Sequence, residues 1–278
     1  MPLSGQNLTL PPPWGALGGD ADSAGGTAAR QKAILEIVGQ SGYATIESLA
    51  AHFGVSAQTI RRDIITLDEQ KLLQRFRGGA GARENTVRLG YTEKRARNQE
   101  AKAAIGRHAA AHINHGDSLF LDVGTTVEAV TQVIAGLSGL RVVTTSLASA
   151  MILAEWPEIE VVVAGGTLRG ADGSLIGAAT VETIRQFRFD HAVLGFSGID
   201  DDGAPMDFDL AKIAVKRAAL ERAGQCILVG DHSKFARPAL ARICEPAEIG
   251  LLVTDRTVEA PMLEKLHKAG VKTEVAAT

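Results

Sequence analysis

The chain has 278 residues, a net charge of -3, 45% hydrophobic residues, 22% charged residues and 4% aromatics. That length predicts two domains or one large one, and the apolar fraction excludes a chain disordered throughout. No apolar run approaches the roughly 18 residues of a membrane span, and the start lacks the basic and apolar regions of a secretory signal. Two cysteines, Cys226 and Cys244, are too few for a disulfide framework or a cysteine zinc site, which points to a reducing, cytoplasmic setting.

The charge is uneven. Residues 28–97 carry a net of +5 and residues 98–278 a net of -6, while the first 27 add -2 through Asp20 and Asp22. A basic module joined to an acidic one predicts that only the first meets a polyanion. Residues 1–27 are rich in Pro, Gly, Ala and Ser, with Pro11, Pro12 and Pro13 in a row, and read as a disordered tail.

From 27 to 40, Ile34, Leu35 and Val38 form one apolar helical stripe that ends at Ser41-Gly42. Thr45 then caps a short second helix carrying Ile46, Leu49, Ala50 and Phe53. Gly54-Val55 makes a tight turn, and Ser56 caps a third helix whose Ile60, Ile64 and Leu67 pack inward. The opposite face presents Gln58, Thr59, Arg61 and Arg62. Two helices joined by a tight glycine turn, with a polar and basic face on the second, match a helix-turn-helix. Gln58, Arg61 and Arg62 reach base edges or phosphates in a major groove, and Ser56 and Thr59 hydrogen-bond phosphate. After the helix, residues 72–77 alternate as a strand into Gly78-Gly79, a wing that offers Arg75 and Arg77 to the DNA backbone.

Phe53-Gly54-Val55-Ser56, Thr59-Ile60-Arg61-Arg62-Asp63, Leu67 and the arginines before Gly78-Gly79 closely resemble the signature of the DeoR family of bacterial transcriptional regulators. The resemblance implies a DNA-binding repressor with double-stranded operator DNA as partner.

From residue 98 onward helix and strand alternate. Helices are predicted at 99–113, 127–137, 178–187, 209–223 and 260–269. Strands are predicted at 118–123, 140–144, 160–164, 191–196, 226–230, 250–254 and 271–275, which defines an α/β domain with a mainly parallel, Rossmann-like sheet. Ligands in such sheets bind beyond the carboxyl ends of the strands. There the chain offers Asp122-Val123-Gly124-Thr125-Thr126 at a helix start, a natural phosphate cradle. It also offers Thr144-Thr145-Ser146, Gly165-Gly166 with Arg169 as an anion clamp, Gly195-Phe196-Ser197-Gly198, and Asp231-His232-Ser233-Lys234. Together these loops predict a small anionic ligand.

This part also resembles the DeoR-family sensor domain, which is similar in fold to ribose-5-phosphate isomerase and binds a phosphorylated sugar or related metabolite. The run from Phe187-Arg188-Phe189-Asp190 to Asp207-Phe208-Asp209 looks most like the glycerol-3-phosphate branch of the family, implying sn-glycerol 3-phosphate as effector and glycerol metabolism genes as targets. The resemblance adds Lys216 to the ligand set. One departure stands nearby, because Lys212 occupies a position where members commonly carry an acidic residue. The predicted organisation is a tail over 1–27, a winged helix-turn-helix over 28–84 and a sensor over 85–278. A helix near 85–112 serves as conduit between head and sensor. Two-fold operator symmetry predicts a homo-oligomer, dimer or tetramer.

A DeoR-type repressor responding to a different sugar phosphate is one alternative, and a sugar-phosphate isomerase is the enzyme alternative, since Asp122, Asp231 and Lys234 supply carboxylates and an amine at strand ends. Carboxylates also order loops or hold ligand hydroxyls, and the attached DNA-binding head favours the regulator. Gly195-Phe196-Ser197-Gly198-Ile199 is not a nucleophile elbow, because Ile199 replaces the second glycine. His108 and His112, one helical turn apart with His115 nearby, have no Glu or Cys beside them in the sequence. They read as surface histidines, and no metal or cofactor is expected.

Overall fold

The structure, a computed structural model, describes residues 25–41, 43–76, 78–82, 91, 94–235 and 239–276. The chain divides into two compact units between residues 86 and 87.

In the first unit, α1 (Gly25–Ser41), β1 (Tyr43–Thr45), α2 (Ile46–Phe53), α3 (Ala57–Glu69), β2 (Leu73–Phe76) and β3 (Gly79–Ala82) follow in order. Most of the expected tail, residues 1–24, lies outside the described residues. α1 begins at Gly25, so its first three residues fall within the stretch read as a tail. The expected caps form, with the Thr45 hydroxyl accepting the N–H of Ser48 and the Ser56 hydroxyl that of Thr59. Gly54 sits at φ 63°, the left-handed conformation that ends α2 and turns the chain into α3. Ile34, Val38, Leu49, Ile60, Ile64, Leu67 and Leu73 make a closed core. The strands form a small antiparallel sheet in the order β1-β3-β2, with Tyr43 opposite Gly81 and Leu73 opposite Ala82.

The second unit continues with α4 (Gln99–Ala110), β4 (Ser118–Leu121), α5 (Thr125–Ile134), β5 (Arg141–Thr144), α6 (Leu147–Leu153) and β6 (Glu160–Val163). A hairpin follows, β7 (Thr167–Arg169) and β8 (Ser174–Ile176), then α7 (Ala178–Arg185) and β9 (Phe189–Gly195). The chain then runs through β10 (Gly198–Ile199), β11 (Pro205–Asp207), α8 (Leu210–Leu220), β12 (Ala223–Val229), β13 (Ala241–Arg242), β14 (Leu251–Thr254), α9 (Ala260–Lys268) and β15 (Lys272–Val275). Among the described residues, seven strands form one sheet in the order β15-β14-β12-β9-β4-β5-β6, and every pair in it is parallel. β10, β11 and β13 form a separate antiparallel sheet.

The apolar strands separate two cores by their two-residue period. Leu119, Leu121, Val193, Ile227, Val229, Leu251 and Val253 face Ile105 of α4 and Val127, Val130 and Ile134 of α5. The alternate residues Phe120, Ala192, Leu194, Cys226, Leu228 and Leu252 face Ile184 of α7, Ile213 and Ala218 of α8 and Leu266 of α9. Both cysteines are free and buried. No helix among the described residues is long and apolar enough to cross a membrane.

The single helix expected near 85–112 is corrected. Residues 83–90, 92 and 93 lie outside the described residues, and Asn98 adopts φ 53° immediately before α4. A right-handed helix does not pass through a left-handed residue, so α4 starts afresh at Gln99.

Candidate DNA-reading face and effector crevice

In α3, Ile60, Ile64 and Leu67 turn to the core, which forces Gln58, Arg61 and Arg62 outward, where all three are exposed. Asp63 does the opposite. It is buried and accepts from Arg30 Nε at 2.6 Å and Gln31 Nε2 at 3.1 Å, fastening α3 to α1. An acidic residue directly after two arginines gives no local sign of this inward role. The Ser56 and Thr59 side chains are 2.9 Å apart and are shared between capping and solvent. Arg75 is exposed on β2, and Arg77 lies outside the described residues.

In the sensor sheet, β4 and β9 are neighbours, and the chain order runs in opposite directions on either side of that pair. Parallel sheets open a crevice at such a reversal, beyond the strand ends. Asp122–Thr126 leaves β4 there, and Ser197 and Gly198 leave β9. Thr145 follows β5, Gly165 and Gly166 follow β6, and Asp231 follows β12. The fold thus gathers the predicted loops along one edge of the sheet.

At the floor, Lys216 from α8 donates to Asp122 and to the Gly195 carbonyl at 2.8 Å, and lies 3.2 Å from Asp207. Asp122 also accepts the Gly195 N–H at 3.0 Å, and Ser197 donates to Asp207 at 3.1 Å. Lys216 and Asp122 are only 2% and 3% exposed, so this group is sealed below the loops. One ammonium faces two carboxylates. Burial disfavours the Lys216 charge, but Asp122 and Asp207 outweigh it and hold the ammonium well above its usual range. Burial pushes the Asp122 carboxyl up, beyond what Lys216 pulls back. At Asp207 burial acts the same way, yet Lys216, Lys212 and the Phe208 N–H prevail and hold it down.

Above the floor, Gly124 caps α5 at φ 153° without a side chain, and Thr125 and Thr126 occupy the first turn. Helix starts leave their first N–H groups without intrahelical partners. Thr145 is buried, its carbonyl accepting Leu175 N–H at 2.9 Å from β8. Gly166 has a packing reason: a Cβ there would meet Thr180 Oγ1 at 2.0 Å and the Ile176 carbonyl at 2.6 Å. Arg169 forms an ion pair with Asp209, 3.2 Å away, and Lys212 pairs with Asp172. The two pairs tie the β7–β8 hairpin to the start of α8, so Lys212 has a partner of opposite sign. Asp231 caps the 3-10 turn His232–Lys234, accepting from Ser233. Its carboxyl is raised by burial, but Ser233, Lys234 and Lys102 hold it below the usual range. The two carboxylates of the isomerase alternative are therefore both engaged.

Several residues here had no sequence signal. Tyr91 donates to Glu128 at 2.6 Å, one turn into α5, and Arg95 lies 3.8 Å from the same carboxylate. Lys102, itself buried, donates to the carbonyls of Lys94 and Arg97. The segment preceding α4 is thereby fastened to the helix that starts at the Gly124 loop.

A winged helix-turn-helix head and a parallel α/β sensor with a strand-end crevice define a ligand-responsive transcriptional regulator. The DeoR-like helix-turn-helix domain matches residues 30–86, and the DeoR C terminal sensor domain matches residues 97–256. The glycerol-3-phosphate regulon repressor of Escherichia coli is 39% identical over 246 residues, 88% of this chain and 98% of that protein. The repressor of the same name in Haemophilus influenzae is 42% identical over 81% of this chain and 88% of that protein. The Escherichia coli HTH-type transcriptional repressor CsqR is 35% identical over 87% and 93%. Among solved structures, ribose 5-phosphate isomerase A from Methanocaldococcus jannaschii aligns with TM-score 0.38 and 14% identity, covering 50% of this chain and 55% of that one. The chain belongs to the DeoR family and is a DeoR-type transcriptional repressor, not an enzyme.

Proposed function

We propose that this repressor holds operator DNA through α3 and the wing and is released by sn-glycerol 3-phosphate, controlling glycerol and glycerol-3-phosphate metabolism genes. The observation that carries the effector assignment is the 39–42% identity, over most of the chain, to two proteins named for the glycerol-3-phosphate regulon. Arg61, Arg62 and Gln58 read bases or phosphates in the major groove, with Ser56, Thr59, Arg75 and Arg77 on the backbone. The effector phosphate sits at Gly124, Thr125 and Thr126, at the start of α5. Thr145, Gly165, Gly166, Ser197 and Gly198 complete the walls. Arg169 and Lys234 supply positive charge, and Asp122, Lys216 and Asp231 order the floor.

The head spans 28–84 and the sensor 85–278, acting as a dimer or tetramer in the cytoplasm so that two heads meet a two-fold operator. Effector binding shifts the heads only because it favours one sensor state over the other. The Tyr91–Glu128 contact, one turn beyond the phosphate loop, is the path by which it does so. A gel-shift with a glycerol-gene operator and a panel of sugar phosphates tests the assignment. Release by sn-glycerol 3-phosphate is expected; release by another member of the panel and not by this one would overturn it.

A further inference from the structure

We propose that His108, His112 and Glu274 form a binding site for a divalent transition-metal ion, zinc in ligand chemistry. In sequence the two histidines lack a carboxylate neighbour, but the fold supplies one from 162 residues away. The positions of His108 and His112 on α4, four residues apart, bring both imidazoles to one face of the helix. β15, at the edge of the parallel sheet, presents Glu274 to them. The Nε2 atoms of His108 and His112 each lie 2.8 Å from the same oxygen, Glu274 Oε2.

Two imidazole nitrogens and one carboxylate oxygen are a zinc-type donor set, with a fourth position left for water. Bonds of about 2.0–2.1 Å in a tetrahedron place donor atoms roughly 3.3 Å apart, so small side-chain rotations open the triangle to accept an ion. Magnesium and calcium, which take several oxygen donors, fit this set poorly. His108 and His112 are 38% and 28% exposed and Glu274 19%, which lets an ion enter without unfolding. Lys272 lies 2.6 Å from the other carboxylate oxygen, Oε1, fixing the group while leaving Oε2 to the imidazoles. His115 is turned away, its Nδ1 2.8 Å from Ser138 Oγ. The donors share no residue with the strand-end loops, and the proposal is independent of the effector.

The test uses the untagged, metal-stripped full chain, titrated with zinc by calorimetry and with cobalt by visible absorption. One equivalent per chain and the intense visible bands of low-coordinate cobalt are expected. His112→Ala and Glu274→Gln should each weaken zinc binding at least about 10-fold, the loss that even an outer-shell partner produces. Metal-free circular dichroism of each variant should match the parent, since all three side chains are partly exposed. Undiminished zinc uptake in both variants would place the ion elsewhere. No uptake by the parent at tens of micromolar zinc would leave the three residues as an ion-paired strap. Either result overturns the site.

Discussion

Lys216→Met removes the ammonium from the crevice floor while keeping most of the side-chain volume. Its Nζ bonds Asp122 and Gly195 O and pairs with Asp207, and both lysine and Asp122 are sealed from water. Removing one partner of a buried pair costs about 3–5 kcal/mol, because the other charge stays behind unpaired. Here two carboxylates stay behind side by side. For a unit of this size, each kcal/mol lowers the unfolding midpoint by roughly 2–4 °C, so a drop on the order of 10 °C is expected at pH 7. The pH dependence has a definite sign. Without the lysine, burial and mutual repulsion raise the folded-state carboxyls above their unfolded values. Their contribution is then fully favourable below the unfolded pKa and is lost as pH rises through the folded one. The deficit should therefore shrink as pH falls from 7 toward 4, and adding Asp122→Asn should recover part of it. Calorimetry of the sensor transition in the full chain, at several pH values, measures this. A loss under about 1 kcal/mol, or a deficit unchanged between pH 5 and 7, would refute the buried-cluster reasoning.

Arg61→Ala should weaken operator binding by about 1–3 kcal/mol in fluorescence anisotropy while leaving effector binding intact; loss of both would mean misfolding. Ser56→Ala removes the α3 cap and should destabilise the head by about 1 kcal/mol, read as a lower midpoint for the N-terminal transition. Gly166→Ala drives a Cβ into Thr180 and the Ile176 carbonyl, so the β6–β7 loop must move. A cost of about 1–3 kcal/mol and weaker effector binding are expected by thermal unfolding and calorimetry. Tyr91→Phe deletes the bond to Glu128 and should leave effector affinity for the free protein nearly unchanged while reducing release of DNA in a gel-shift.

Local patterns carried the parts of the fold that depend on local physics. The caps at Thr45 and Ser56, the left-handed Gly54 and the inward stripe of α3 are set within a few residues, so their spacing announces them. The inner parallel strands β4, β5, β9, β12 and β14 are legible because they are largely buried and read as apolar runs. β3, Gly-Ala-Gly-Ala, has no strand propensity and exists through its pairing with β1 and β2. The β7–β8 hairpin and the β10-β11-β13 sheet are too short to show a period. The strand-end loops could be placed from sequence, yet the partners within them could not. Asp122 and Lys216 are 94 residues apart and Tyr91 and Glu128 37, and no spacing rule links them. Asp122 and Gly166, chosen as ligand groups, also have structural work as an ion-pair partner and a site of close packing.

Under the proposed function, one small anion and operator DNA compete through the state of the sensor. Binding linkage requires the two effects to be reciprocal. The most direct measurement is an anisotropy titration of labelled operator at rising sn-glycerol 3-phosphate, paired with calorimetry of that compound in the presence and absence of operator. Operator affinity should fall by the same factor by which effector affinity falls when DNA is bound. Operator affinity unmoved by saturating sn-glycerol 3-phosphate would contradict it.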